Sequence, residues 1–399
     1  MVVPISLCMI VRDEAASLAS CLASVQTLVA EMIVVDTGST DNTIAIAQTA
    51  GARVAEFTWH DDFAAARNYS LSLAQGEWII VLDADEVLVP AVIPLIQEAV
   101  QQPDLIAVNL LRQELGSCQS PYSLVSRLFR NRPDIRFERA YHELIDDSIA
   151  QIRQKEPHWR VGSLASVALQ HQGYTPAAIQ SKDKTARMQR ILSQALARHP
   201  EDAYLGAKLA ALYLAQGELT QALSLLQQAL ATRPGEPMVQ YEIHFHLGLL
   251  YTQQQQWQAA QKHYEQAIAT PCPPLTKLGA YTNLGSLYKE QGALTQARHL
   301  FEQVIQIDPT WATGYYNLGL TLKALNLLPA AVQAYQRAIQ LAPTMAAAHQ
   351  NLGIVLCKLG DLAGAQSHWR QAISLYQQQG SPTGAQLQQE LQTLGLLDR

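Results

Sequence analysis

The chain has 399 residues, 48% of them hydrophobic and only 16% charged, with a net charge of −6 and a pI near 6.0. That acidity argues against a general nucleic-acid binder, and no apolar run reaches the roughly 20 residues of a membrane span. Length points to two or three domains, and the charge is shared unevenly: residues 1–175 carry −9, the remainder +3 and 32 of the 44 Gln.

The apolar start MVVPISLCMIV has no basic n-region and no small-residue cleavage site, so it reads as a buried first strand over Ile5 to Val11. Five scattered cysteines without a CxxC read as reduced thiols of a cytoplasmic protein. A helix is expected from about Glu14 to Leu28, then a strand from Met32 to Val35 ending at Asp36. Ser39 or Asp41 would cap the helix that follows, through Ala50. A third strand over Arg53 to Phe57, a helix over Phe63 to Ala74 and a fourth strand over Trp78 to Leu82 complete the pattern. Strands separated by helices of this length imply an α/β fold with a mostly parallel, doubly wound sheet. Ligands of such sheets collect beyond the carboxyl ends of the strands. Three polar clusters lie there: Arg12-Asp13-Glu14, Asp36-Thr37-Gly38-Ser39 and Asp83-Ala84-Asp85.

A dinucleotide site fails, because Val11-Arg12-Asp13-Glu14 has no glycine-rich turn for a pyrophosphate, and GxxxxGK[ST] is absent. Asp83-Ala84-Asp85 handles phosphate differently: hard carboxylate oxygens suit Mg²⁺ or Mn²⁺, which bridges diphosphate oxygens.

The segments ISLCMIVRDE (5–14), DTGSTDNT (36–43), ARN (66–68) and GEWIIVLDADE (76–86) resemble glycosyltransferase family 2 and the nucleotide-sugar half of its GT-A fold. With the helical half behind it, the pattern is similar to the SunS-like and lipopolysaccharide-core-like branch. The resemblance implies a nucleotide diphosphate sugar donor, usually a UDP-sugar, a divalent metal (Mn²⁺ or Mg²⁺) and inversion at the anomeric carbon. It implies that Val11, Arg12 and Glu14 line the base and ribose pocket and that Asp36, beside Ser39, binds the base. Arg67, with Asn68 beside it, would face the base or diphosphate, Asp83 the ribose or metal with Ala84 on the donor side, and Asp85 would coordinate the metal. Asp13 departs from the Asn common in the family. Read alone, Arg67 is equally a helix-surface residue paired to Asp61 or Asp62.

In the acceptor half, Leu105 to Arg112 and Ser123 to Arg130 read as strands. Arg127, Arg130, Arg132, Arg136 and Arg139 crowd into 13 residues, either a clamp for phosphate or an acidic acceptor, or a solvated basic loop. Arg127-Leu-Phe-Arg leading to His142-Glu143, and the later His171-Gln-Gly-Tyr174, resemble elements of the same branch. Inverting transfer needs a base for the acceptor proton. Glu143 is the choice, with Asp85 and Glu86 as rivals, while His171 completes the metal shell or meets the phosphate. Arg127, Arg130 and His142 belong to the acceptor and phosphate side.

The remaining half repeats every 34 residues. Asn-Leu-Gly recurs at 283–285, 317–319 and 351–353, and Pro309 and Pro343 keep the interval. The unit from Ala312 places Leu318, Gly319, Ala331, Tyr335, Ala338 and Pro343 as a tetratricopeptide (TPR) repeat does. Small residues allow close helix approach, the aromatic fills the gap between hairpins, and proline ends the second helix. Domains are therefore set at 1–185 for the GT-A part and 186–399 for an all-α TPR superhelix. The latter has a partial unit to 200, about five repeats over 203–379 and a cap helix over 383–397. The array's histidines show no repeated metal spacing, and its groove suits a protein or peptide acceptor. The competing reading is a non-catalytic TPR scaffold with a degenerate sugar-nucleotide domain. Intact Asp36, Asp83, Asp85 and Ala66-Arg67-Asn68 favour the enzyme.

Overall fold

A computed structural model describes residues 3–117, 121–139, 143–172 and 182–397. The chain forms two compact units, Met1–Pro234 and Gly235–Arg399.

The first unit opens with β1 (Ile5–Val11), α1 (Leu18–Val25), β2 (Glu31–Asp36), α2 (Thr43–Thr49), β3 (Arg53–Glu56), α3 (Phe63–Ser72) and β4 (Trp78–Val81). β5 (Glu86–Leu88), α4 (Ile93–Ala99), β6 (Leu105–Glu114), β7 (Tyr122–Arg130), α5 (Asp146–Lys155) and β8 (Arg160–His171) follow. It also holds the first repeat helices: α6 (Lys182–Arg198), α7 (Ala203–Gln216) and α8 (Leu219–Ala231).

One eight-stranded sheet runs in the order β3-β2-β1-β4-β7-β6-β8-β5. β1 to β4 are parallel, as the alternation of strands and helices predicts, with Val11 level with Asp36 and Cys8 level with Val81. β7 then runs antiparallel between β4 and β6, so the acceptor half is mixed. Both faces of β1, β2 and β4 are covered, which explains their nearly continuous apolar runs, whereas the edge strand β3 carries exposed Arg53 and Glu56. In β4, Trp78 and Ile80 enter one core with Leu7, Met9 and Leu22; Ile79 and Val81 enter the other with Cys8, Val35 and Phe129. α1 starts four residues later than the apolar pattern predicts. The backbone N–H groups of Glu14 and Ala15 donate instead to Thr43 Oγ1 (2.8 Å) and Asp41 Oδ2 (3.1 Å), lacing the loop after β1 to the loop after β2. Two strands lie outside the expected set: the three-residue β5 and the largely half-exposed β8, whose apolar residues fall at no strict alternation.

The second unit stacks four hairpins and a last helix. They are α9 (Pro237–Gln253) with α10 (Trp257–Ala269), α11 (Leu278–Glu290) with α12 (Leu294–Ile307), and α13 (Ala312–Ala324) with α14 (Leu328–Leu341). α15 (Ala346–Lys358), α16 (Leu362–Gln378) and α17 (Thr383–Thr393) complete it. The repeat aromatic lies on the glycine of its own hairpin, and Phe301 and Tyr335 also share a core cluster with Leu318 and Leu352 of the hairpins that follow them. A Cβ on Gly248, Gly285, Gly319 or Gly353 would stand 2.4–2.8 Å from Tyr264, Phe301, Tyr335 or Trp369. Gly319→Val should therefore destabilise the chain by about 1–3 kcal/mol through overpacking, read as a lower midpoint in urea.

The array's histidines do repeat a spacing. His244 and His263, and likewise His349 and His368, sit 19 residues apart with Nδ1 atoms 3.0 Å from each other. Burial lowers all four, and the neighbouring His244 and Lys262 help push His263 down to about 4. A histidine whose folded pKa is depressed contributes stability above its unfolded pKa and loses it as pH falls. Thermal stability should thus drop between about pH 6.5 and pH 4, and His263→Gln should flatten that slope. No helix among the described residues is long and apolar enough to cross a membrane.

Candidate active site

The carboxyl ends of β1, β2 and β4 bring the three polar clusters to one crevice, and the loops are held there by their own side chains. Asp36 is buried at the end of β2. Its Oδ2 accepts the backbone N–H groups of Gly38 (2.9 Å) and Ser39 (3.0 Å), while its buried Oδ1 has no partner among the described residues. Asp13 takes the left-handed conformation, φ 54°, accepts the Thr40 N–H at 2.6 Å and donates its own N–H to Ser39 Oγ (3.0 Å). Val11 O receives Thr37, Arg12 stays half-exposed beside Asp13, and Glu14 accepts the Ser17 hydroxyl.

Arg67 is the centre of the site. α3 carries it into the interior, where its Nη2 meets Asp83 and its Nε meets Glu143, with the guanidinium 5.7 Å above the Phe137 ring. It is not a surface residue paired to the acidic loop before it: Asp62 instead caps α3 by accepting the Ala65 N–H (2.9 Å), and Asp61 pairs with Arg190 (2.7 Å) and Arg187 (3.3 Å). Asp83 also receives Arg127 Nη2 at 2.7 Å on its other oxygen. Burial opposes its ionisation, but the two guanidinium groups outweigh that and hold the carboxyl far below the usual range. Arg67 Nη1 and Arg127 Nη1 are buried and have no partner among the described residues, which leaves spare N–H groups on both arginines that bind Asp83. Asn68 does not reach this cluster; its amide bonds the backbone of Phe137 in both directions, at 2.8 and 2.9 Å.

A second chain of charges starts at Asp85, which lies 3.2 Å from His171 Nε2; His171 Nδ1 meets Glu114 at 2.6 Å. Glu114 and the fully buried Glu86 share Arg112, at 2.8 and 2.7 Å, and Glu86 accepts the Asp83 N–H at 2.9 Å. Burial works against the imidazolium of His171, yet bonds to Asp85 and Glu114 push it up to about 9. Ala84, between the carboxylates, is buried.

These residues fit a divalent cation in part. Asp85 presents an oxygen beside His171 Nε2, and Glu114 behind Nδ1 orients the ring as metal-bound histidines require. Asp83, expected as a metal ligand, does not fit, since both its oxygens are bound to arginines. Among the described residues no group of three or more His, Cys, Asp or Glu is disposed to hold a metal ion. The balance of a coordination shell would therefore come from donor phosphates and water.

Of the five clustered arginines, Arg127 alone joins Asp83. Arg130, expected on the acceptor and phosphate side, lies elsewhere: three residues along β7 it reaches the opposite end of β4, stacking on Trp78 (5.0 Å) and Trp159 (5.2 Å) and donating to Leu105 O (2.7 Å). Arg132 pairs with Asp134 and Glu156, and Arg139 with Asp147 and Asp202. His142 and Tyr174 lie outside the described residues. Arg112 and Glu114 escaped the sequence reading. Their signal was two charges at i, i+2 ending an otherwise apolar strand, one face of which meets the crevice.

Residues 6–162 match the model of Glycosyl transferase family 2, and segments between 184 and 378 match five tetratricopeptide repeat models. A TPR repeat-containing protein of Synechococcus elongatus is 44% identical over 305 residues, 76% of this chain and 76% of that protein. A glycosyltransferase of Rickettsia felis is 42% identical over 84 residues, 21% of this chain and 29% of that one. The SPbeta prophage-derived glycosyltransferase SunS of Bacillus subtilis is 25% identical over 200 residues, 48% of this chain and 45% of that one.

Proposed function

The chain belongs to the TPR repeat-containing glycosyltransferases of family 2, and from that premise we propose a metal-dependent, inverting transferase that takes a UDP-sugar and an acceptor recruited by the repeats. The observation that carries this reading is the set of unpartnered buried groups around the crevice: Asp36 Oδ1, Arg67 Nη1 and Arg127 Nη1. An unmatched carboxylate oxygen suits the N3–H of uracil, and two unmatched guanidinium N–H groups suit diphosphate oxygens.

Asp36 selects the base, while Val11, Arg12, Glu14 and Ser39 wall its pocket. Arg67 and Arg127 neutralise the leaving diphosphate, held in place by Asp83 between them. Asp85 and His171 hold Mn²⁺ or Mg²⁺, which when bound supplies positive charge against the diphosphate. Glu143 is the base: Arg67 Nε fixes one oxygen, which leaves the other to take the acceptor proton. Its rival Glu86 is fully buried and committed to Arg112. Buried free thiols at Cys8, Cys21 and Cys272 support a cytoplasmic setting.

Thermal unfolding with UDP, GDP and their sugars, with and without Mn²⁺, tests the assignment. UDP with Mn²⁺ should raise the midpoint most. A larger shift with GDP would displace uracil as the base, and no shift with any nucleotide would leave the scaffold reading standing.

A further inference from the structure

We propose that Arg139 and Asp202 are positioning residues for Glu143, which makes the first repeat helices part of the catalytic unit; this rests on the transferase reading above. The backbone bridge between Glu138 and Leu144 (2.9 and 3.2 Å) closes the ends of the segment that carries both Arg139 and Glu143. Arg139 stands at φ 71°, a left-handed conformation that a non-glycine residue keeps only when its surroundings hold it there. Two of its three contacts come from the repeat side, the third from α5. Arg139 Nε donates to Asp202 Oδ2 at 2.8 Å, its Nη1 meets Asp147, and its guanidinium lies 5.3 Å over the Tyr204 ring.

Asp202 is itself fixed. Its Oδ1 accepts the Leu205 N–H (3.1 Å), capping α7. The Arg139–Asp202 pair is only 15% and 16% exposed, so water and salt screen it little. A more exposed latch holds the other partner of Glu143. Asp61 binds Arg187 and Arg190 of α6, Arg187 lies 4.9 Å over Trp59, and the adjacent Asp62 caps α3, which carries Arg67. α6 and α7 thus hold, from two sides, the two elements that meet in the Arg67–Glu143 pair.

The test uses the full chain. Asp202→Asn keeps an N-cap and removes the charge; Arg139→Gln removes the fork; Arg139→Lys is the conservative variant; Arg298→Gln, in an exposed helix pair of the second unit, is the control. Two readouts are amide hydrogen exchange at Glu138 and Leu144, and kcat and KM for hydrolysis of UDP-glucose or UDP-N-acetylglucosamine. Asp202→Asn and Arg139→Gln should exchange at least tenfold faster at those amides. Their kcat should fall at least tenfold with KM within twofold of wild type, and Arg139→Lys should fall between. Unchanged exchange, or faster exchange with full kcat, overturns the proposal. Should wild type hydrolyse neither donor, the transferase reading is what fails, and the exchange arm alone decides whether the latch holds the segment.

Discussion

Arg67→Gln should abolish transfer and unfold the chain at markedly lower temperature. The guanidinium is almost completely buried and is shared by Asp83 and Glu143. Burial disfavours its charge, but those two carboxylates more than compensate and raise its pKa. Removing one partner of a buried ion pair leaves an uncompensated charge and costs about 3–5 kcal/mol. The chemical loss adds to this, because Arg67 both orients Glu143 and offers a spare N–H beside Asp83. Donor hydrolysis should fall by about 10²–10³-fold at least, the range for deleting one fixed charge-stabilising donor. The two effects separate: urea unfolding reads the first, and turnover at a temperature where the variant is folded reads the second.

Asp85→Ala should remove the metal requirement of donor binding along with most of the activity. Among the described residues the Asp85 carboxylate meets His171, at 3.2 Å, and no arginine. That distinguishes it from Asp83, two residues away, whose oxygens are both taken. Glu114→Gln acts one step behind, by loosening the His171 ring, and should cost about 10–100-fold in metal affinity. The expected order of loss is therefore Asp85→Ala above Glu114→Gln, measured as the Mn²⁺ concentration that gives half-maximal donor hydrolysis. Equal metal dependence in both variants and the wild type would remove Asp85 and His171 from the metal site.

The donor half was legible because its constraints are local. Buried strands β1, β2 and β4 are continuous apolar runs, and each ends in a polar cluster at the crevice. Arg67 and Asp83 were both named from motif, but their pairing was not, since a separation of 16 positions along the chain reveals nothing of the contact. The acceptor half was harder. Glu143 and Arg67 are 76 residues apart, and His171 and Asp85 are 86 apart; such pairs depend on the antiparallel path of β7 and the parallel return of β8. Strand geometry also explains the error at Arg130. Charge density in the sequence gathered five arginines, yet β7 and the loop beyond leave only Arg127 at Asp83 and carry the other four away, and Arg130 at the strand's far end serves two tryptophans. In the array the 34-residue period was plain, but which ring covers which glycine was not, because spacing alone does not separate contacts within a hairpin from contacts between hairpins.

The most direct test of the account is the anomeric configuration of the sugar released when the chain hydrolyses a UDP-sugar in the presence of Mn²⁺. Proton NMR recorded before mutarotation should show the β-anomer forming first from an α-linked donor, with formation stopped by EDTA and absent in Asp85→Ala. First appearance of the α-anomer, or turnover that EDTA leaves untouched, would contradict it.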